Sequence, residues 1–269
     1  MAVRLEFDDT GGGGAPVLLL HGLFGARGNW RSVARALAPS RRVVSVDLRN
    51  HGASPWADSM GYFEMADDVL RLIDRLGLER PSVLGHSMGG KVAMALALGY
   101  PGLLASLVVV DIAPVAYGDR FSSIARTMAS IDAAAVTSRA EVQRLLAQTI
   151  PDAGTVAFLA QNLVAGDARF DWRINLAAIS ASMPDLCAFP ADLSGGCFQG
   201  PTTLIAGGTS DFVSAADRAA FATLFPRLRC VEIDGAGHWV HADRPDEFLQ
   251  AVQAALAEVR PARSQPSVA

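Results

Sequence analysis

Residues 82–93 read SVLGHSMGGKVA. A short apolar run enters Gly85-His86-Ser87-Met88-Gly89, and a small-residue, helix-like stretch leaves it. A G-x-S-x-G pattern between a strand and a helix sets its serine on a sharp, strained turn with the hydroxyl clear of the sheet. The flanking glycines sit where a side chain would collide with neighbouring backbone. The following helix turns its N-terminal amides toward negative charge near the serine. As a bare pattern it recurs in unrelated chains, and a glycine-rich turn without chemistry would carry it too. The chain around it decides between the two.

Working outward, short apolar runs alternate with helical patterns. Strands are expected at Val3–Phe7, Pro16–Leu20, Arg42–Val46, Ser82–Leu84, Leu107–Val110, Thr203–Ala206 and Cys230–Ile233. Most of these are continuously apolar, which suits strands buried on both faces of a parallel sheet. Helices are expected at Met65–Leu76, Ser87–Leu98 and Pro245–Val259, the last opening on a proline suited to a first turn. Such alternation gives right-handed crossovers and a mostly parallel central sheet with helices on both faces. Residues 116–199 break the rhythm: Val142–Thr149 and Thr155–Val164 read as helices, Pro184–Gly196 is turn-rich, and no strand is evident. The expected organisation is therefore an α/β core from 1–115 and 200–260, a helical lid at 116–199 inserted after the strand that ends at Asp111, and a flexible tail at 261–269.

Composition bounds the function. The chain has 269 residues, 51% of them apolar, and a net charge of −4. That is a chain able to bury a large core. The arginines are scattered, the densest group being Arg31, Arg35, Arg41 and Arg42, and Lys91 is the only lysine, so no surface for nucleic acid is expected. No apolar stretch follows the first charges as a signal peptide requires, and none has the length of a membrane span. Cys187, Cys197 and Cys230 lack metal-ligand spacing and read as reduced thiols of a cytoplasmic protein; a Cys187–Cys197 bridge is disfavoured there.

Acyl transfer from a serine needs an oxyanion hole, a base and an acid. One oxyanion amide normally belongs to the residue after the nucleophile, here Met88, and the other to the loop after an earlier strand. VLLLHGLFG (17–25) supplies such a loop, with Leu23 the expected donor and Phe24 the runner-up. The base should be a loop histidine placed late in the chain. His238, in CVEIDGAGHWVHADRPDEF (230–248), fits best; His241, His51, His86 and His21 all have adequate packing or turn roles. Two aspartates compete as the acid. Asp211 follows the penultimate expected strand, the usual place, though it could equally cap the helix starting near Ser214. Asp111 ends LVVVD (107–111), one strand earlier, and could equally bond amides of the turn that follows.

Five motifs in order carry a resemblance: HGLFGARGNW (21–30), DLRNHGASP (47–55), GHSMGGKVAM (85–94), VVVDIAPV (108–115) and GAGHWVHADRPDEF (235–248). Together they resemble the α/β-hydrolase fold, and more narrowly the YbfF-like bacterial esterases and the abhydrolase-domain-11 proteins. The likeness spans about residues 15–258, includes FDWRINL (170–176), and is weakest over 116–170. It implies a serine hydrolase acting on carboxylic esters with short or medium acyl chains, with Ser87 as nucleophile, His238 as base, and Leu23 and Met88 as oxyanion donors. It implies Asp111, in DIAPV, as the acid, members of the family often lacking one at the position of Asp211. This chain carries both, with Asp111 favoured.

The expectation is thus a serine carboxylesterase needing no metal or organic cofactor and acting on a small-molecule ester through an acyl-enzyme. Phe24, Trp172 and Trp239 are the expected pocket residues. Thioesterase, C–C bond hydrolase and cofactor-free perhydrolase chemistry share the scaffold. A non-catalytic binding module is a weaker alternative, given an intact nucleophile, base and two acids.

Overall fold

The computed structural model describes residues 2–166 and 169–258. In chain order the elements are β1 (Phe7–Asp9), β2 (Val17–Leu20), α1 (Arg31–Leu37), β3 (Val43–Val46), α2 (Tyr62–Leu76), β4 (Ser82–His86), α3 (Met88–Gly99) and β5 (Ser106–Val110). Then follow α4 (Ser122–Ala129), α5 (Arg139–Leu146), α6 (Ala153–Ala160), β6 (Leu163–Ala165), β7 (Phe170–Trp172), α7 (Leu176–Ala181) and α8 (Met183–Cys187). The chain closes with β8 (Thr202–Gly207), α9 (Ala215–Leu224), β9 (Leu228–Ile233), α10 (Val240–Asp243) and α11 (Pro245–Ala257).

Seven strands form one sheet in the order β1-β3-β2-β4-β5-β8-β9, parallel except for the edge pair β1–β3. The five central strands are buried along their whole length, as their unbroken apolar runs require, whereas edge strand β9 is half-exposed. One apolar layer packs α2 and α3 on one face; the other packs Trp30, α1 and α11 on the opposite face. The strand order reverses between β2 and β4. A crevice therefore opens at this switch point, at the C-terminal ends of those strands, just where the His21 loop and Ser87 emerge.

Several expectations shift. The first strand is Phe7–Asp9, not Val3–Phe7: the Val3 and Glu6 amides bond Asp68 Oδ1 (2.6 Å) and Ser54 Oγ (2.9 Å) instead of a neighbouring strand. Helix α1 was not anticipated. Between β5 and β8 the expected Thr155–Val164 helix stops at Ala160, and Leu163–Ala165 pairs antiparallel with Phe170–Trp172. Three-residue strands leave too short a pattern to read. The expected tail at 261–269 and Val259 lie outside the described residues.

Candidate active site

Ser87 has φ 51° and ψ −119°, a conformation L-residues avoid, and is 5% exposed. Backbone crowding holds it there. A Cβ on Gly85 would lie 2.1 Å from the Gly89 carbonyl oxygen, and one on Gly89 would lie 2.5 Å from the carbonyl oxygens of Leu20 and His21. The turn is fixed from both sides: the Ser87 amide donates to Val110 O of β5 (3.0 Å), and Ser87 O accepts from the Gly90 and Lys91 amides (2.8 and 3.1 Å).

Asp111 is fully buried, also at positive φ (50°), and is tied to the end of β8. Its amide donates to Ile205 O (2.9 Å). Its Oδ1 accepts from the Gly207 amide (3.0 Å), and its Oδ2 accepts from Ser210 Oγ and from His238 Nδ1 (2.8 Å). An ionised carboxylate can only accept, so it holds the ring proton on Nδ1 and leaves Nε2 free. Phe212 stacks on the His238 ring, with centroids 3.8 Å apart.

Asp211 is placed differently. Its side chain is 75% exposed and pairs with Arg120 Nη1 (2.6 Å), which holds its carboxyl below the usual range. The aspartate that touches His238 is Asp111.

The loop after β2 is organised by two buried histidines. His21 donates from Nδ1 to Gly22 O (2.8 Å) and accepts the Leu48 amide at Nε2 (3.0 Å). His51 donates from Nδ1 to Arg49 O (3.0 Å) and accepts the Phe24 amide at Nε2 (3.1 Å). Burial keeps both neutral, pulling His51 down to about 3. The Phe24 amide is therefore occupied, whereas the Leu23 and Met88 amides have no partner among the described residues. Met88 is the first residue of α3, where orphan amides and the helix dipole converge. His86 Nε2 donates to the His238 carbonyl (2.8 Å), and burial holds its pKa well below the ordinary value.

A cavity of about 90 Å³ lies against Ser87 and His238, lined also by Leu23, Phe24, Trp239 and, from the segment between β5 and β8, Phe121, Phe158 and Leu159. Trp239 contacts Phe158 across it, centroids 5.7 Å apart. A smaller cavity of about 30 Å³ is also lined by Ser87. Of the expected pocket residues, Phe24 and Trp239 line the larger cavity and Trp172 lines neither. Trp172 is a β7 residue packed inside the inserted segment, its Nε1 donating to Ile131 O (3.4 Å).

Sequence reasoning missed three polar residues. Ser210 bonds Asp111. Asn162, fully buried, donates to Phe24 O (2.8 Å) and so ties the inserted segment to the loop after β2. Asn175 caps α7 and takes its amide to Asn50 O (3.0 Å). A lone asparagine in a helical or turn-rich stretch gives no periodic signal. Asn50, in DLRNHGASP, and Asn175, in FDWRINL, lie within motifs that carry the resemblance, but nothing in those motifs marks them as partners of each other.

A family model of the alpha/beta hydrolase fold matches residues 15–245. The chain is 36% identical over 249 residues to the sn-1-specific diacylglycerol lipase ABHD11 of Mus musculus, covering 90% of this chain and 80% of that protein. It is 34% identical over 243 residues to esterase YbfF of Escherichia coli K12, covering 89% and 92%. A solved marine microorganism esterase superposes with a TM-score of 0.91 at 32% identity, over 94% of this chain and 99% of that one.

Proposed function

Because the chain belongs to the alpha/beta hydrolase family and is an esterase/lipase-type hydrolase, we propose that it is a serine carboxylesterase for short- to medium-chain esters, working through an acyl-enzyme on Ser87. The observation that carries this reading is the 2.8 Å bond from His238 Nδ1 to the buried Asp111. It gives His238 the tautomer a base needs, and His238 shares a cavity with Ser87.

In this reading Ser87 Oγ attacks the acyl carbon while its proton passes to His238 Nε2. The carbonyl electron pair moves onto oxygen, where the Leu23 and Met88 amides receive it. Collapse breaks the ester C–O bond, and the departing alkoxide takes the proton from His238. Water then attacks the acyl-serine by the same route, releasing the acid and restoring Ser87. Asp111 steadies the imidazolium through its bond to Nδ1. Residues 116–199 act as a lid over the site, Phe121, Phe158 and Leu159 forming its inner wall. The small volumes of the two cavities, about 90 and about 30 Å³, support short or medium acyl chains. A cytoplasmic setting, agreeing with three cysteines outside any disulfide, belongs to the same proposal.

The test is hydrolysis of p-nitrophenyl esters from acetyl to palmitoyl by wild type and Ser87→Ala. The expected result is activity peaking at short or medium chains and lost in Ser87→Ala. Activity that survives Ser87→Ala would overturn the reading.

A further inference from the structure

The smaller cavity has an apolar wall with one charged group in it. Lys91 is the only lysine in the chain and is 1% exposed. It stands one helical turn beyond Ser87 on α3, where its neighbours Val92, Ala93, Met94 and Ala95 are all apolar. Its Nζ donates to Cys187 O (3.1 Å) and Ala188 O (2.6 Å) and lies over the rings of Tyr117 (4.8 Å) and Tyr62 (5.6 Å). An ammonium carries three donors, so one N–H is left without a partner among the described residues. No aspartate or glutamate lines the cavity.

A buried cation without a counter-ion is costly, and ring faces with two carbonyls offset only part of that. Tying the base of the inserted segment to α3 accounts for the two carbonyl bonds. It does not account for a charge, since a neutral donor would serve. The titratable groups facing Nζ add no negative charge at neutral pH: burial pushes the Cys187 thiol and the Tyr62 and Tyr117 hydroxyls upward. Asp119, near Cys187, is exposed, and Asp111 is engaged by His238. Burial lowers Lys91 itself only to about 8, so it is largely protonated at pH 7. What remains is a positive group, one free donor and a narrow space beside the nucleophile.

We propose that the cavity lined by Lys91 is a carboxylate subsite, and that the preferred substrates are half-esters of short dicarboxylic acids whose free carboxylate pairs with Lys91 while Ser87 attacks the esterified end. This rests on the serine-hydrolase reading above. The cavity is small, about 30 Å³, and is lined by both Ser87 and Lys91, so a carboxylate held by Lys91 is joined to the reacting carbonyl by a short arm, as in malonate or succinate. Hydrolysis would consume one water and release an alcohol and the dicarboxylic acid. An esterification or a partial hydrolysis of a diester must supply such a substrate.

The experiment compares methanol release from monomethyl succinate and from methyl 4-methylpentanoate, in which a neutral isopropyl group replaces the carboxylate. Wild type should favour the half-ester at least tenfold in kcat/KM, with the difference in KM. In Lys91→Met that ratio should fall at least tenfold; if this variant does not fold, Lys91→Gln takes its place. Turnover of the neutral ester with no preference for the half-ester, or a ratio unchanged in the Lys91 variant, would overturn the subsite and leave the esterase reading standing. If neither ester is hydrolysed, the esterase reading is the one in trouble, and calorimetry with free succinate judges the subsite. Binding to wild type that the Lys91 variant loses supports it; no binding to wild type overturns it.

Discussion

Asp111→Asn removes one acceptor and adds one donor at a site with no room for the exchange. The native carboxylate receives three donors: the Gly207 amide at Oδ1, and Ser210 Oγ and His238 Nδ1 at Oδ2. Asparagine has a single acceptor oxygen. If that oxygen stays with the Gly207 amide, which cannot turn, the new NH₂ faces Ser210 and His238. Ser210 can rotate its hydroxyl, but His238 meets the NH₂ only by giving up the Nδ1 proton. The proton then sits on Nε2, where the base must be empty. Loss of the correct tautomer in a serine triad lowers kcat by about 10⁴-fold, or roughly 5 kcal/mol of transition-state stabilisation. Asp211→Asn breaks only an exposed pair with Arg120, worth about 0–1 kcal/mol, so its effect should stay within about fivefold. The assay is kcat/KM on p-nitrophenyl butyrate at pH 7.5, with circular dichroism to establish folding. A folded Asp111→Asn within tenfold of wild type, or an Asp211→Asn variant down a thousandfold, would refute the reasoning.

Three further outcomes are expected. Gly85→Ala should destabilise the fold by about 3 kcal/mol or more, read from the urea midpoint, because its Cβ would lie 2.1 Å from Gly89 O. His51 and His241 are held neutral by burial, at about 3 and about 4, below an unfolded value near 6.5. Their stabilisation is therefore complete above pH 6.5 and is lost as pH falls, by at most about 1.4 kcal/mol per pH unit for each histidine. Urea midpoints that stay flat from pH 7 to pH 5 would contradict this. Lys91 loses its charge as pH rises through about 8, so any half-ester preference should shrink between pH 7 and pH 9, seen as a rising KM for monomethyl succinate alone.

The central strands were legible because burial on both faces demands unbroken apolar runs, and VLLL, SVLGH and SLVVV are such runs. Ser87 and His238, the proposed nucleophile and base, stand out in the sequence because each sits in a glycine-rich turn after a strand. The two aspartates were not separable on position alone, since both follow strands of the same sheet. Separating them takes the register of β5 against β8, which sets Val110 opposite Ile205 and brings Asp111 to Gly207, and the outward turn of the loop that leaves Asp211 in solvent. Trp172 lies outside both cavities beside Ser87, since an aromatic residue in an inserted segment packs against its own surroundings as readily as against a cavity. Lys91 stands out in the sequence as the single lysine of the chain, in the otherwise uncharged helix MGGKVAMALALG, but its burial beside Ser87 is visible only in the structure.

The most direct test of the account is where the covalent intermediate forms. Wild-type protein treated with a fluorophosphonate and digested for mass spectrometry should carry one phosphonyl group, on the peptide containing Ser87, with parallel loss of esterase activity. Ser87→Ala should carry none. An active protein left unlabelled, or one labelled elsewhere while its activity disappears, would contradict the assignment of Ser87 as the nucleophile.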